Sequence, residues 1–239
     1  MRPWRAAMTQ ASSMFLAKTS HDASRVTPCG TPPDIAWIFG QPISAAQIVL
    51  EVYESPSTFL AAHLINERVE LSVLVDDVAL PGIEAVPLVD EPLYFVQPRR
   101  KPLVRAGRSI DLPTVASVPL MLTTQVTTLR DLVDRAFAEA GVAPQIKAEA
   151  SSIHTVLAMV AQGGAGTVIP HSALAWHAAA QLLRQTPIEP QIVRRATLAH
   201  SRLNRLQPAA ACVHALIVSV VRELVRSRRW DGARLVAGN

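Results

Sequence analysis

Cysteine is nearly absent from this 239-residue chain, and Cys29 and Cys212 alone can form neither a disulfide framework nor a four-ligand zinc site. Aromatic residues are scarce, at 5%, which argues against a protein that recognises bases by stacking them on aromatic rings. No apolar run reaches the roughly 18 residues of a membrane-spanning segment. The longest, Ala209 to Val221, contains His214 and is followed at once by Arg222 and Glu223. The familiar enzyme motifs are also missing: there is no P-loop, G-x-S-x-G elbow, H-E-x-x-H or C-x-x-C. Gly163-Gly164-Ala165-Gly166 is glycine-rich but follows a helical pattern and precedes a strand, the reverse of the order a dinucleotide-binding loop requires. The expectation is a soluble, cytoplasmic, globular protein that is not an enzyme, holds no metal or cofactor and does not contact a membrane.

What is present is a chain long enough for a buried core, 49% hydrophobic and 18% charged. The net charge of +4 is uneven: +2 over residues 1–50, −5 over 51–150 and +7 over 151–239. In the last third, Arg226, Arg228, Arg229 and Arg234 follow an amphipathic helix, where cations complement the helix dipole. That basic surface reads as a solvated face.

Residues 1–33 show no sustained period and end in the turn-rich Thr27-Pro28-Cys29-Gly30-Thr31-Pro32-Pro33, which predicts an irregular or disordered leader. Beyond it strands and helices alternate. Strands are expected at 35–39, 48–53, 71–75, 93–96, 118–122, 145–149, 167–169 and 192–198. Helices are expected over 55–67, 152–163, 172–183 and 209–228. The sharpest helix has Leu129, Leu132, Val133, Ala136, Phe137 and Ala140 on one stripe and Gly141 as its stop. Thr128 is its expected cap, with Asp131 three residues on. Such alternation predicts α/β architecture with largely parallel sheets, in two lobes divided near Pro98 to Pro113.

Small hydroxyl residues stand at the strand-to-helix junctions. Thr123, Thr124, Thr127 and Thr128 lie between a buried strand and a well-specified helix, and Ser44 has a similar place after strand 35–39. Hydroxyls beside the free N–H groups of a helix N-terminus make a cradle for a carboxylate or other oxyanion. The histidines form no ligand pair, Asp76-Asp77 reads as a strand-ending turn, and Glu149 has no evident partner.

The ordered set of segments resembles the effector-binding domain of LysR-type transcriptional regulators, in the branch that includes nitrogen-assimilation regulators. The segments that carry the likeness are Val49 to Ser55, Asn66 to Leu74, Glu91 to Val96, Thr128 to Val133 with Ala140-Gly141, and Ala161 to Pro170. Order and spacing hold over roughly residues 48–225. The resemblance implies a two-lobed, periplasmic-binding-protein-like (type 2) α/β domain over 34–239, binding a small effector between its lobes. Lobe one would comprise about 34–92 plus 199–228, and lobe two about 93–198. It implies that Ser44 contacts the effector from the first lobe, that Thr123 and Thr124 do so from the second, and that Gly166 and Thr167 line the same cleft; Thr127, from the hydroxyl set, joins them as an expected effector-binding residue.

Two departures from the family pattern follow. The remainder of the family's first helix is missing between Ala46 and Ile48, so the first lobe is expected to be shortened. Residues 1–33 offer no winged helix-turn-helix, so DNA contact is expected only where that domain is supplied elsewhere. The expected partners are a small, anionic metabolite and further copies of the chain. A free-standing solute-binding protein of similar fold and a non-functional truncated regulator are the alternatives.

Overall fold

A computed structural model describes residues 14–20 and 49–236, except 76–80, 106, 176 and 204; for 14–20 and 49 the description covers the backbone alone. The expected strand 35–39, Ser44 and the Asp76-Asp77 turn lie outside the described residues. In chain order the elements are β1 (Met14–Ser20), β2 (Val49–Ser55), α1 (Ser57–Ile65), β3 (Leu71–Val75), β4 (Ile83–Pro98), α2 (Leu112–Ala116), β5 (Pro119–Thr123) and α3 (Thr128–Glu139). There follow β6 (Gln145–Ala150), α4 (Ile153–Ala161), β7 (Thr167–Pro170), α5 (His171–Ala175), a 3-10 turn (Ala180–Leu182), β8 (Leu183–Pro187), β9 (Val193–Ser201), α6 (Pro208–Arg226) and β10 (Arg234–Leu235).

The irregular leader expected over 1–33 is corrected for one segment. β1 pairs antiparallel with β2 and with β3, inside the first lobe's sheet.

Two sheets share one long strand. Residues 83–92 of β4 pair with β9, whereas residues 93–98 pair with β7 and β8. The first sheet runs β10-β4-β9-β3-β1-β2, antiparallel throughout. In the second lobe β5 and β6 are parallel, and the bridge Leu120↔Gly166 joins them to β7. The expectation of largely parallel sheets therefore holds only for the β5-α3-β6-α4-β7 stretch. Elsewhere β4 and β9 cross between the lobes in opposite directions, so their neighbours pair antiparallel. Because β9 pairs with β3 and β4 in the first sheet, the chain re-enters the first lobe near residue 193, ahead of the expected 199.

The second lobe has one core in which Phe95, Leu120, Val133, Phe137, Leu157 and Val160 are buried together. Among the described residues the first lobe has two, one on Leu60, Leu64 and Leu74 under α1 and one on Leu71, Val89, Leu198 and Val213 under α6. By length and composition α6 could cross a membrane, with a mean hydropathy of 1.6. Its Ala209, Ala210, Cys212, Val213, Ile217 and Val221 are nevertheless buried. That stripe is the mark of a core helix lying on a sheet.

The α3 stripe forms as the sequence suggests, with Leu129, Val133 and Phe137 buried and Gly141 at φ 68° just past its end. Its cap is Thr127, one residue earlier than expected, whose side chain accepts from the Arg130 N–H. The helix expected over 172–183 is corrected more heavily: only 171–175 is helical, and Leu183–Pro187 is strand. Pairing of β8 with β4, which buries Leu183 and Thr186, overrides the helical preference of this alanine-rich stretch.

Candidate functional site

Between the lobes lies a small cleft open to solvent. One side is built by Ser55, Pro56 and Ser57, where β2 runs into α1, and by Val75 at the end of β3. The other is built by Thr123, Thr127, Thr128 and Leu129, where β5 runs into α3, and by Ser151 and Ile153, where β6 runs into α4. Arg194 of the crossing strand β9 completes it.

Three helices therefore start at one cleft, and each N-terminus carries partial positive charge and backbone N–H groups. Only α3 has a side-chain cap; α1 and α4 have no side-chain hydrogen bond at their caps. Ser57 cannot serve α1, because it is buried with its Oγ accepting from the Val75 N–H at 3.1 Å. Thr127 Oγ1 accepts from Arg130 N–H and lies 2.9 Å from Thr123 Oγ1 and 3.0 Å from the Thr124 carbonyl oxygen.

Arg130 braces this turn from behind. Although 3% exposed, it donates from Nη1 to the Thr123 carbonyl at 2.9 Å and from Nε to the Asp134 carboxylate at 2.8 and 2.9 Å. It also pairs with Glu149, which supplies the partner the sequence did not reveal.

The Arg194 guanidinium is held by a buried network. Its Nε donates to Glu91 Oε1 at 2.7 Å, and its Nη2 pairs with the same oxygen. Glu91 Oε2 accepts from Ser172 Oγ and Trp230 Nε1, both at 2.8 Å. Arg194 is 1% and Glu91 0% exposed. The four residues come from β9, β4, α5 and the segment after α6, so the network ties the crossing strands to both lobes. On the cleft's edge, His154 Nε2 is 3.9 Å from Glu54 and its ring stacks on His177 at 5.5 Å. Burial, and then the neighbouring His154, push His177 below its ordinary value of 6.5.

Of the sequence-derived candidates, Thr123 and Thr127 stand on the cleft. Thr124 is set back from it: its N–H donates to the Ala150 carbonyl, and its hydroxyl is buried without a hydrogen-bond partner. Gly166 and Thr167 lie within the sheet, outside the residues that line this cleft. Gly166 hydrogen-bonds to Pro119 and Met121, and a Cβ on it would approach Phe95 Cζ to 2.7 Å. Thr167 is 1% exposed and faces Val96 across the β4–β7 ladder.

Sequence reasoning missed Ser55, Ser151 and Arg194. The two serines carry the same signal as the threonines, a hydroxyl at a strand-to-helix junction. Arg194 carries none that can be read without the β4–β9 register. Among the described residues no group of three or more His, Cys, Asp or Glu is placed to hold a metal.

The family described as LysR substrate binding domain matches residues 44–222. The nitrogen assimilation regulatory protein nac of Klebsiella aerogenes is 30% identical over 178 residues, covering 73% of this chain and 56% of that protein. Its namesake in Escherichia coli K12 is 27% identical over 189 residues, covering 77% and 60%. The chain thus spans well under two thirds of either relative. Among solved structures, the effector binding domain of QuiR in complex with shikimate superposes with a TM-score of 0.61 at 22% identity, covering 71% of this chain and 79% of that one. The regulatory domain of Synechocystis PCC6803 CcmR in complex with 2-PG does so with a TM-score of 0.63 at 18% identity, covering 71% and 82%. A two-lobed fold with strands crossing between the lobes, matched over most of its length, places this chain in the LysR substrate-binding domain family.

Proposed function

We propose that this chain is the effector-sensing domain of a LysR-type transcriptional regulator and that it binds a small anionic metabolite between its lobes. The observation that carries the proposal is the convergence of three helix N-termini, two without side-chain caps, on a cleft that also holds a buried guanidinium. Unsatisfied N–H groups and the positive ends of helix dipoles attract an oxyanion. Thr123 and Thr127, with Ser55 and Ser151 opposite and beside them, would orient the remainder of the ligand through their hydroxyls.

Because both lobes contribute to the cleft, a bound ligand favours the closed arrangement in proportion to its preference for it, a population shift. No chemical step is involved. Assembly into homo-oligomers, a cytoplasmic location, and DNA contact only through a winged helix-turn-helix belong to the same proposal.

A thermal-shift screen of amino acids, hydroxy acids, aromatic acids, sulfate and nucleobases tests it. At least one anion should raise the melting temperature, and Thr127→Val should weaken that ligand about tenfold, the worth of one hydrogen bond to a charged group. A response confined to uncharged compounds would sink the proposal.

A further inference from the structure

Among the described residues that line the cleft, Arg194 bears the one ionisable side chain. Its charge does not stand alone: Glu91, fully buried, is bonded to its Nε and Nη2, so the pair presents no net charge. Among the described residues the surroundings add no uncompensated cation. Behind Thr123 the Arg130 guanidinium is shared by two carboxylates, Asp134 and Glu149, which leaves that trio net negative. On the opposite side Glu54 directly precedes the cleft residue Ser55, and the ring it faces is a histidine. What attracts an anion is therefore the three helix N-termini, with Arg194 in the cleft wall already compensated. Each helix end is equivalent to roughly half an elementary charge, confined to its first turn.

We infer that the Glu91–Arg194 pair makes the cleft selective for monoanions over dianions. This rests on the reading of the cleft as an effector site and narrows its ligand class to small monocarboxylates or other singly charged oxyanions bearing hydrogen-bonding groups. One carboxylate can be met by helix N–H groups. A second would lose its hydration without finding an uncompensated cation, and it would sit near Glu54 and the Arg130 trio, which disfavours the charged form of any added acid. Glu91 acts through Arg194 and is a positioning residue. Without its carboxylate the guanidinium would offer a full charge to the cleft, and the preference would move toward dianions.

The test compares matched pairs at neutral pH on the full chain: nitrate with sulfate, lactate with malate, and benzoate with phthalate, by calorimetry and thermal shift. In each pair that binds, the monoanion should bind at least about tenfold tighter, the scale expected of one uncompensated charge near a protein surface. In Glu91→Gln the monoanion-to-dianion ratio should fall by about tenfold or more. A purely structural role for Glu91 would weaken both members equally.

Should Glu91→Gln fail to fold, the wild-type ratios stand by themselves, and the apolar pair Glu91→Leu with Arg194→Met should fold and keep the monoanion preference. Dianions binding as tightly as monoanions to the wild-type protein would overturn the inference while leaving an anion-binding cleft. Binding of neither valence would overturn both. An unchanged ratio in Glu91→Gln would remove Glu91 from the account.

Discussion

Two neighbouring rungs of the β4–β9 ladder carry nearly the same chemistry in opposite surroundings. Asp90 faces Arg195 and Glu91 faces Arg194 in register. Because successive side chains on a strand point to opposite sides of the sheet, the first pair lies at the surface and the second at the cleft. The Asp90–Arg195 pair is bidentate, at 2.7 and 2.9 Å, with side chains 30% and 38% exposed. The Glu91–Arg194 pair is at most 1% exposed and has two further donors, Ser172 and Trp230, on its carboxylate. An exposed pair can lose a partner to water at little cost. A buried one cannot, because the charge left behind has nothing to solvate it.

The largest effect expected from this contrast is on stability. Glu91→Ala should cost about 3–5 kcal/mol in chemical denaturation, because the Arg194 guanidinium stays buried after losing the Glu91 carboxylate. Replacing the pair together, Glu91→Leu with Arg194→Met, should recover part of that loss, the remainder being the cost of leaving the Ser172 hydroxyl and the Trp230 N–H without their acceptor. Equal losses in the single and double variants would show that packing, not charge compensation, dominates that rung.

Next in size is Trp230→Phe, which removes one donor from a charged acceptor and should cost about 1.5–3 kcal/mol. Full stability in this variant would mean that the Trp230 N–H adds nothing to the network. Smaller again is Asp90→Ala, expected at no more than about 1 kcal/mol and shrinking further in molar salt. A loss near that of Glu91→Ala would break the comparison outright.

The smallest effect concerns two histidines away from these rungs. Burial, and then a neighbouring histidine, push His177 and His214 below the ordinary 6.5. The folded chain therefore binds fewer protons at these sites than the unfolded chain in mildly acid solution. The stability they contribute is complete above pH 6.5 and is lost as pH falls through their lowered folded values. Melting temperature followed from pH 8 to pH 5 should decline most below about 6.5, and His177→Gln with His214→Gln should flatten that decline. An identical profile in the double variant would assign it to other groups.

The parts legible in the sequence are those decided within a few residues. The stripe Leu129, Val133 and Phe137 faces the core because helical spacing leaves no other arrangement, and Gly141 takes the left-handed conformation that ends the helix. Thr123 and Thr127, singled out as hydroxyls at a strand-to-helix junction, do line the cleft, and Ser55 and Ser151 there share that local feature. The same feature failed at Thr124, set back behind the turn, and no local rule could show Gly166 to be a packing position against Phe95. The end of the helix expected over 172–183 was misread because its alanines favour a helix, whereas Leu183 opens a strand whose partner, far away in sequence, decided the outcome there.

The sequence by itself determined the order of elements in the second lobe, the core face of each helix, the stops between them and, through that ordered set, the family. Only the tertiary structure decided what the cleft contains. Glu91 and Arg194 are 103 residues apart, and each alone reads as an ordinary charged strand residue. Antiparallel register makes them partners, and burial makes the partnership count. Likewise three helix starts, each unremarkable locally, become one anion-attracting surface only when two lobes bring them to the same space. Local propensity acts over a turn or a pleat; long-range pairing and desolvation set the chemistry of a site assembled from five separate stretches of chain.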